Sequence, residues 1–92
     1  MTITVYKFEA EWCGMCKALE PTLMSVVKDF PSIDLKHIDC DENPDGLVEL
    51  FGIKSLPTLI AVDDKSHEIG RINGLVPKDK LITWFQHLID NI

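Results

Sequence analysis

Two cysteines separated by two residues, Cys13-Gly14-Met15-Cys16, are the residues of this chain best suited to chemistry. A C-x-x-C spacing serves reversible dithiol–disulfide exchange, and it also serves as one half of a zinc knuckle. Position in the chain separates the two. The run from Ile3 to Glu9 is rich in β-branched and aromatic side chains and reads as a strand. Beyond Cys13, the residues Leu19, Leu23, Val26, Val27 and Phe30 fall at helical spacings, with Lys17, Glu20, Lys28 and Asp29 on the other side. A cysteine pair that opens a helix directly after a strand reads as a redox motif. At a helix N-terminus the unpaired N–H groups and the dipole stabilise an anion, so Cys13 is expected to be the nucleophilic thiolate. Cys16, one turn later, can attack a mixed disulfide formed on Cys13 and resolve it.

The remaining elements must hold this pair in place. Pro21 removes one donor from the first helix and is expected to kink it, and Pro31 helps to stop it. Residues 33–39 form a second strand. Asn43-Pro44 reads as N-cap and first helical position of a short second helix carrying Leu47, Val48, Leu50 and Phe51, closed by Gly52. Residues 58–62 and 67–72 are extended runs separated by Asp63-Asp64-Lys65-Ser66, a polar cluster of hairpin length. From Pro77 onward, Leu81, Phe85, Leu88 and Ile92, joined by Ile82, Trp84 and Ile89, make a broad apolar stripe on a last helix. Met24 and Trp84 are expected in the core. The order β-α-β-α-β-β-α specifies an α/β fold with a mixed four-stranded sheet flanked by three helices, a parallel pair and a terminal antiparallel hairpin.

Ninety-two residues, nearly half of them hydrophobic, fit a single domain over residues 1–92. Three cysteines are an odd number and too few for a disulfide scaffold, which leaves them free for chemistry. A net charge of −6 disfavours nucleic acid and anionic lipid as partners. Nothing approaches the length of a membrane span. The strand begins within two residues of Met1, leaving no room for a secretory leader, so a cytoplasmic location is expected.

The run Ala10-Glu11-Trp12-Cys13-Gly14-Met15-Cys16-Lys17 closely resembles the thioredoxin active-site signature, with Met15 where a proline usually stands. A second stretch, Gly52-Ile53-Lys54-Ser55-Leu56-Pro57-Thr58, is similar to the segment of that family that carries a cis-proline facing the dithiol. Asp41-Glu42-Asn43-Pro44 and Gly74 also fall at matching positions. The resemblance implies a cis Pro57 packed on the disulfide and a Leu56 backbone able to pair with an extended substrate segment. It implies further that Trp12 shields one flank, that Gly74 leaves a flat apolar approach for a protein substrate, and that Gly14, Met15 and Lys17 support the pair. Against that family the sequence begins at what would be the second strand, a minimal version shared in outline with glutaredoxins. Trp12, Gly14 and Leu56-Pro57-Thr58 lean towards thioredoxin. The implied activity is reduction of protein disulfides by a monomer that needs no cofactor beyond its own disulfide. Ribonucleotide reductase is one candidate client, and a thioredoxin-reductase-like enzyme or glutathione is the implied electron donor; a glutathione-coupled oxidoreductase is the alternative.

Two positions depart from that pattern. Lys7 stands where the family usually has a buried carboxylate serving Cys16, and His37 stands where a lysine often accompanies it. A cation beside the thiols favours the thiolate. Either Lys7 or His37 is a candidate for the proton-relay role, while the general preference of lysine for water makes snorkelling past the sheet edge the expected placement of Lys7. Cys40, at the end of the second strand, is expected to be a spectator thiol. Cys13, Cys16, His37 and Cys40 together also offer a zinc ligand set, a competing reading that an exposed nucleophile at a helix N-terminus disfavours. A partner-binding protein that has lost turnover is a third reading, and the intact cysteine pair argues against it.

Overall fold

The computed structural model describes residues 2–91. Its elements run β1 (Ile3–Glu9), α1 (Gly14–Val27), β2 (Ile33–Asp39), α2 (Leu47–Leu50), β3 (Thr58–Val62), β4 (Glu68–Asn73) and α3 (Lys78–Asp90), with a 3₁₀ turn over Pro44–Gly46 leading into α2. The sheet has the order β2-β1-β3-β4. β1 pairs parallel with β2, while β3 pairs antiparallel with both β1 and β4. This is the mixed sheet and element order the sequence specifies.

Alternation along β1 builds two cores. Ile3 and Val5 join Leu19, Leu23 and Val26 of α1 and Leu81, Phe85 and Leu88 of α3 in one buried cluster. Phe8, facing the other way, joins Ile38, Ile60 and Val62 in a second cluster, over which Leu47, Val48 and Phe51 pack. The second cluster holds an aromatic trio, Tyr6, Phe8 and Phe51, with ring centroids 5.9–6.3 Å apart. β3, covered on both faces, is buried at every position. Gly70 of β4 is where α3 comes nearest: a Cβ there would lie 3.1 Å from a methyl carbon of Leu88 and 3.4 Å from the Trp84 ring nitrogen.

Several expectations need correction. Met24 is 46% exposed and Ile82 is 40% exposed, so neither belongs to the core; each lies at the margin of its helix's apolar stripe. Trp84 does pack against the first cluster. Ile92 lies outside the described residues. Pro21 does not end α1, which spans Gly14–Val27; its missing N–H would have served the carbonyl of Lys17, an exposed residue. Asn43 does not open an α-helix: Asn43 and Asp45 both take positive φ, the chain makes the 3₁₀ turn first, and α2 begins at Leu47. The Asn43 side chain still caps that helix from a distance, its Oδ1 accepting from the Val48 N–H at 3.0 Å.

Candidate functional site

The C-terminal ends of β1 and β2, the N-terminus of α1 and the loop before β3 meet at one end of the molecule. Cys13 is the N-cap of α1, in extended backbone conformation, and its Sγ accepts from the Cys16 N–H at 3.1 Å. A turn precedes it, closed by the Cys13 N–H donating to the Ala10 carbonyl at 3.0 Å. Cys13 and Cys16 are joined as a disulfide. Cys13 is 7% exposed and Cys16 2%, so Cys13 is the less deeply buried residue of the pair. The capping N–H points at the same sulfur. An anion there would receive both that hydrogen bond and the helix dipole.

Around the disulfide the structure brings together most of the residues singled out from sequence. Trp12 stands 70% exposed at its flank, its indole N–H donating to Asp41 Oδ2 at 3.1 Å. Met15, also exposed, follows it on the outer surface, with Gly14 and Lys17 exposed beside it. Leu56 packs against Ala10, Cys13 and Cys16. The Leu56-Pro57 peptide is cis and Pro57 is buried, with its carbonyl accepting from the Gly74 N–H at 2.8 Å. Gly74 has φ of +85°, which a residue with a Cβ rarely adopts, and no heavy atom lies within 4 Å of where its Cβ would be. Backbone conformation, with open space beside it, is what asks for glycine here.

Lys7 does not snorkel. It is 1% exposed on the central strand β1, and its Nζ donates to the Cys16 carbonyl at 2.8 Å and to Glu20 Oε1 at 2.8 Å, with Glu9 Oε1 at 2.9 Å. An ammonium has three N–H donors; here the Cys16 carbonyl and Glu20 accept two hydrogen bonds, and Glu9 adds an ion pair. That is why burial is tolerated: hydrogen bonds and paired charge inside the protein replace what the ammonium loses in leaving water. His37 is the register partner of Lys7 on β2, and its Nε2 lies 2.8 Å from Glu20 Oε2. Glu20 therefore sits between Lys7 and His37. Burial pushes its carboxyl up, but the hydrogen bond and charge of Lys7, with a smaller contribution from His37, more than offset this and hold it below the usual carboxylate value.

Glu20 and Glu9 are the residues that sequence reasoning missed. Their signal is present in the spacing: Glu20 follows Cys16 by one helical turn, and Glu9 follows Lys7 by one strand repeat. A cleft of about 410 Å³ opens between these elements, with Cys16, Lys7, Glu9 and Glu20 in its wall. Among the described residues the group of potential metal ligands within 4.8 Å of one another is Glu9, Glu20 and His37. The set Cys13, Cys16, His37 and Cys40 is not brought together, and the Lys7 ammonium already contacts both carboxylates. Cys40 is half-buried. Burial pushes its thiol up, and the charges of Asp39, Asp41 and Glu9 add to that, against a partial offset from a hydrogen bond to the Glu9 backbone. No helix among the described residues is long and apolar enough to cross a membrane.

Comparison with known proteins agrees with this geometry. The family model described as Thioredoxin matches residues 1–87. A thioredoxin of Chlamydia caviae is 39% identical over 80 residues, covering 87% of this chain and 76% of the relative. Among solved structures, a thioredoxin from Trypanosoma brucei brucei superposes with a TM-score of 0.85 at 27% identity, covering 98% of this chain and 77% of that one. A thioredoxin from Nicotiana alata gives a TM-score of 0.82 at 29% identity, covering 94% and 72%.

Proposed function

The chain belongs to the thioredoxin family and is a thiol-disulfide oxidoreductase, and from that premise we propose that it reduces protein disulfides with Cys13 as the attacking thiolate and Cys16 as the resolving thiol. In the first step the Cys13 thiolate attacks one sulfur of the substrate disulfide; a Cys13–substrate disulfide forms and the other substrate sulfur leaves as a thiolate. In the second, Cys16 loses its proton and attacks Cys13 Sγ. The Cys13–Cys16 disulfide forms and the second substrate thiolate is released. Two electrons pass to the substrate, the released thiolates take up protons, and the disulfide itself stores the oxidation without a separate cofactor.

The single observation that carries this reading is the cap geometry, with Cys13 Sγ receiving the Cys16 N–H at the head of α1. Trp12, Leu56, cis Pro57 and Gly74 supply the substrate face: the exposed indole and Met15 offer apolar contact, and the loop at Leu56 offers backbone for an extended segment. Gly14, Met15 and Lys17 shape the first turn. Lys7 and His37 support proton movement at Cys16, beside the cleft that Cys16 and Lys7 both line. The chain acts as a single domain and a monomer in a reducing, cytoplasmic setting, where the dithiol form is maintained. A thioredoxin-reductase-like enzyme rather than glutathione restores it, in keeping with relatives and neighbours that are thioredoxins. Thiol-dependent enzymes such as ribonucleotide reductase are candidate clients.

The test is an equilibrium titration in dithiothreitol buffers, with thiols trapped by alkylation and counted by intact mass. A two-thiol transition near the thioredoxin value of about −270 mV, lost in Cys13→Ser and in Cys16→Ser, is expected. A potential of about −180 mV or above would instead make the protein an oxidant or isomerase.

A further inference from the structure

The ionic cluster behind Cys16 includes two residues that the proposed exchange does not use, Glu9 and Glu20, and both are tied to Lys7. It is assembled by three independent periodicities. Lys7 and Glu9 are two residues apart on one face of β1, Cys16 and Glu20 are one turn apart on α1, and His37 faces Lys7 across the parallel register of β2. Glu20 is the shared member: its Oε1 accepts from Lys7 and both of its oxygens lie within 3.1 Å of His37 Nε2. Lys7 in turn touches the carbonyl of Cys16 itself.

Charge at this place must act on the dithiol. A cation near a thiol favours its thiolate and an anion disfavours it, and groups out of bulk water are screened less than surface groups. Lys7 and Glu20 lie in the wall of the same cleft as Cys16, together with Glu9, and the other charges in that wall are Glu11, Lys17 and Asp39. We propose that Glu20 is a positioning residue of the redox couple: with Glu9 it fixes the Lys7 ammonium against the Cys16 carbonyl, and the opposed charges of Lys7 and Glu20 set the stability of the reduced, thiolate-bearing form. The inference rests on the reading of Cys13 and Cys16 as the redox couple.

Opposite signs are the signature. Replacing Glu20 by Gln removes an anion and keeps an acceptor for Lys7, so the thiolate gains stability and the couple becomes more oxidising. Replacing Lys7 by Met removes the cation, so the couple becomes more reducing. Each shift is expected at about threefold in the equilibrium constant with dithiothreitol, or ~14 mV at 29.6 mV per tenfold. The pH midpoint of Cys13 alkylation should move with it, by about half a pH unit down for Glu20→Gln and up for Lys7→Met. A purely structural cluster would lower stability in both variants without opposing shifts in potential. If Lys7→Met does not fold, Glu20→Gln and Glu20→Lys decide the matter, since the Glu20 side chain is 37% exposed and tolerates change; Glu20→Lys should give the larger oxidising shift. Shifts of one sign in Lys7→Met and Glu20→Gln, or none in Glu20→Gln and Glu20→Lys while the unmodified protein keeps its two-thiol transition, overturn this inference alone. Loss of that transition in the unmodified protein would instead overturn the assignment of the couple.

Discussion

The two ends of one strand face do different work. Ile3 and Val5 of β1 share an apolar cluster with Leu23 and Val26 of α1 and Phe85 of α3, whereas of the next two residues on the same face Lys7 meets Cys16 and Glu20, and Glu9 pairs with Lys7. Strand, face and helix are the same at both ends. What changes is the pairing of residue types across the gap, and with it the local physics: burial of apolar area at one end, a buried ammonium held by partly exposed carboxylates at the other. A strand and a helix that are packed rigidly at the apolar end can hold charges at the polar end without those charges having to supply the stability.

The largest expected effect breaks that division at its apolar end. Leu23→Ala empties a fully buried site on the helix that carries Cys16 and Glu20, and should cost about 2–5 kcal/mol. Urea denaturation should show a lower midpoint with an unchanged slope. The potential of the cysteine couple should stay where it is. A shift in potential as large as that of Glu20→Gln would mean the two ends are mechanically coupled and the comparison fails.

A smaller effect sharpens the polar end. Because the Glu20 carboxyl is held below its ordinary value of 4.5, its ion pairs stabilise the fold fully above that value and lose their contribution as pH falls through the lowered one. The stability gap between the native protein and Glu20→Gln should therefore be present at neutral pH and close below about pH 4.5, a window read from urea midpoints across a pH series. More than a third of the Glu20 side chain is exposed, so solvent screening keeps the gap at no more than about 1 kcal/mol. A gap that widens on acidification would show that Glu20 is not the ionised partner of Lys7.

The fold is legible in the sequence because alternation in β1 and the three-and-four spacing of α1 and α3 each leave one dominant burial pattern. Legibility ends where two backbone solutions share one sequence signal. Asn43-Pro44 marks a helix start in either case, and only the positive φ at Asn43, Asp45 and Gly46 reveals the 3₁₀ turn in between. Met24 and Ile82 sit at the edges of apolar stripes, where periodicity alone does not separate margin from core. At the site, the cysteine pair, Trp12 and Pro57 are readable from motif and resemblance. The fate of Lys7 is not, because a lysine is buried only where partners for its ammonium are supplied, and those partners come from two elements, Glu9 on β1 itself and Cys16 and Glu20 on α1, with His37 of β2 bonded to Glu20. Strand spacing, helix spacing and the β1–β2 register have to be combined before Glu9 and Glu20 reach Lys7 and His37 reaches Glu20.

Cys40 gives the smallest expected effect and the strictest control on the comparison. It lies at the end of β2 beside the aromatic cluster, on the far side of the sheet from α1, and its backbone N–H is held by the Glu9 carbonyl at 2.8 Å. With its thiol pushed up by burial and by Asp39, Asp41 and Glu9, little of it is thiolate at neutral pH, and the thiolate is the reactive form. Cys40 in the reduced protein should alkylate more slowly than a free thiol at pH 7, followed by intact mass, and catch up as the pH is raised. Cys40→Ser should leave the two-thiol transition at the same potential. If Cys40→Ser moved that potential, a third sulfur would belong to the couple, and charge at Lys7 and Glu20 would no longer be the local control on it.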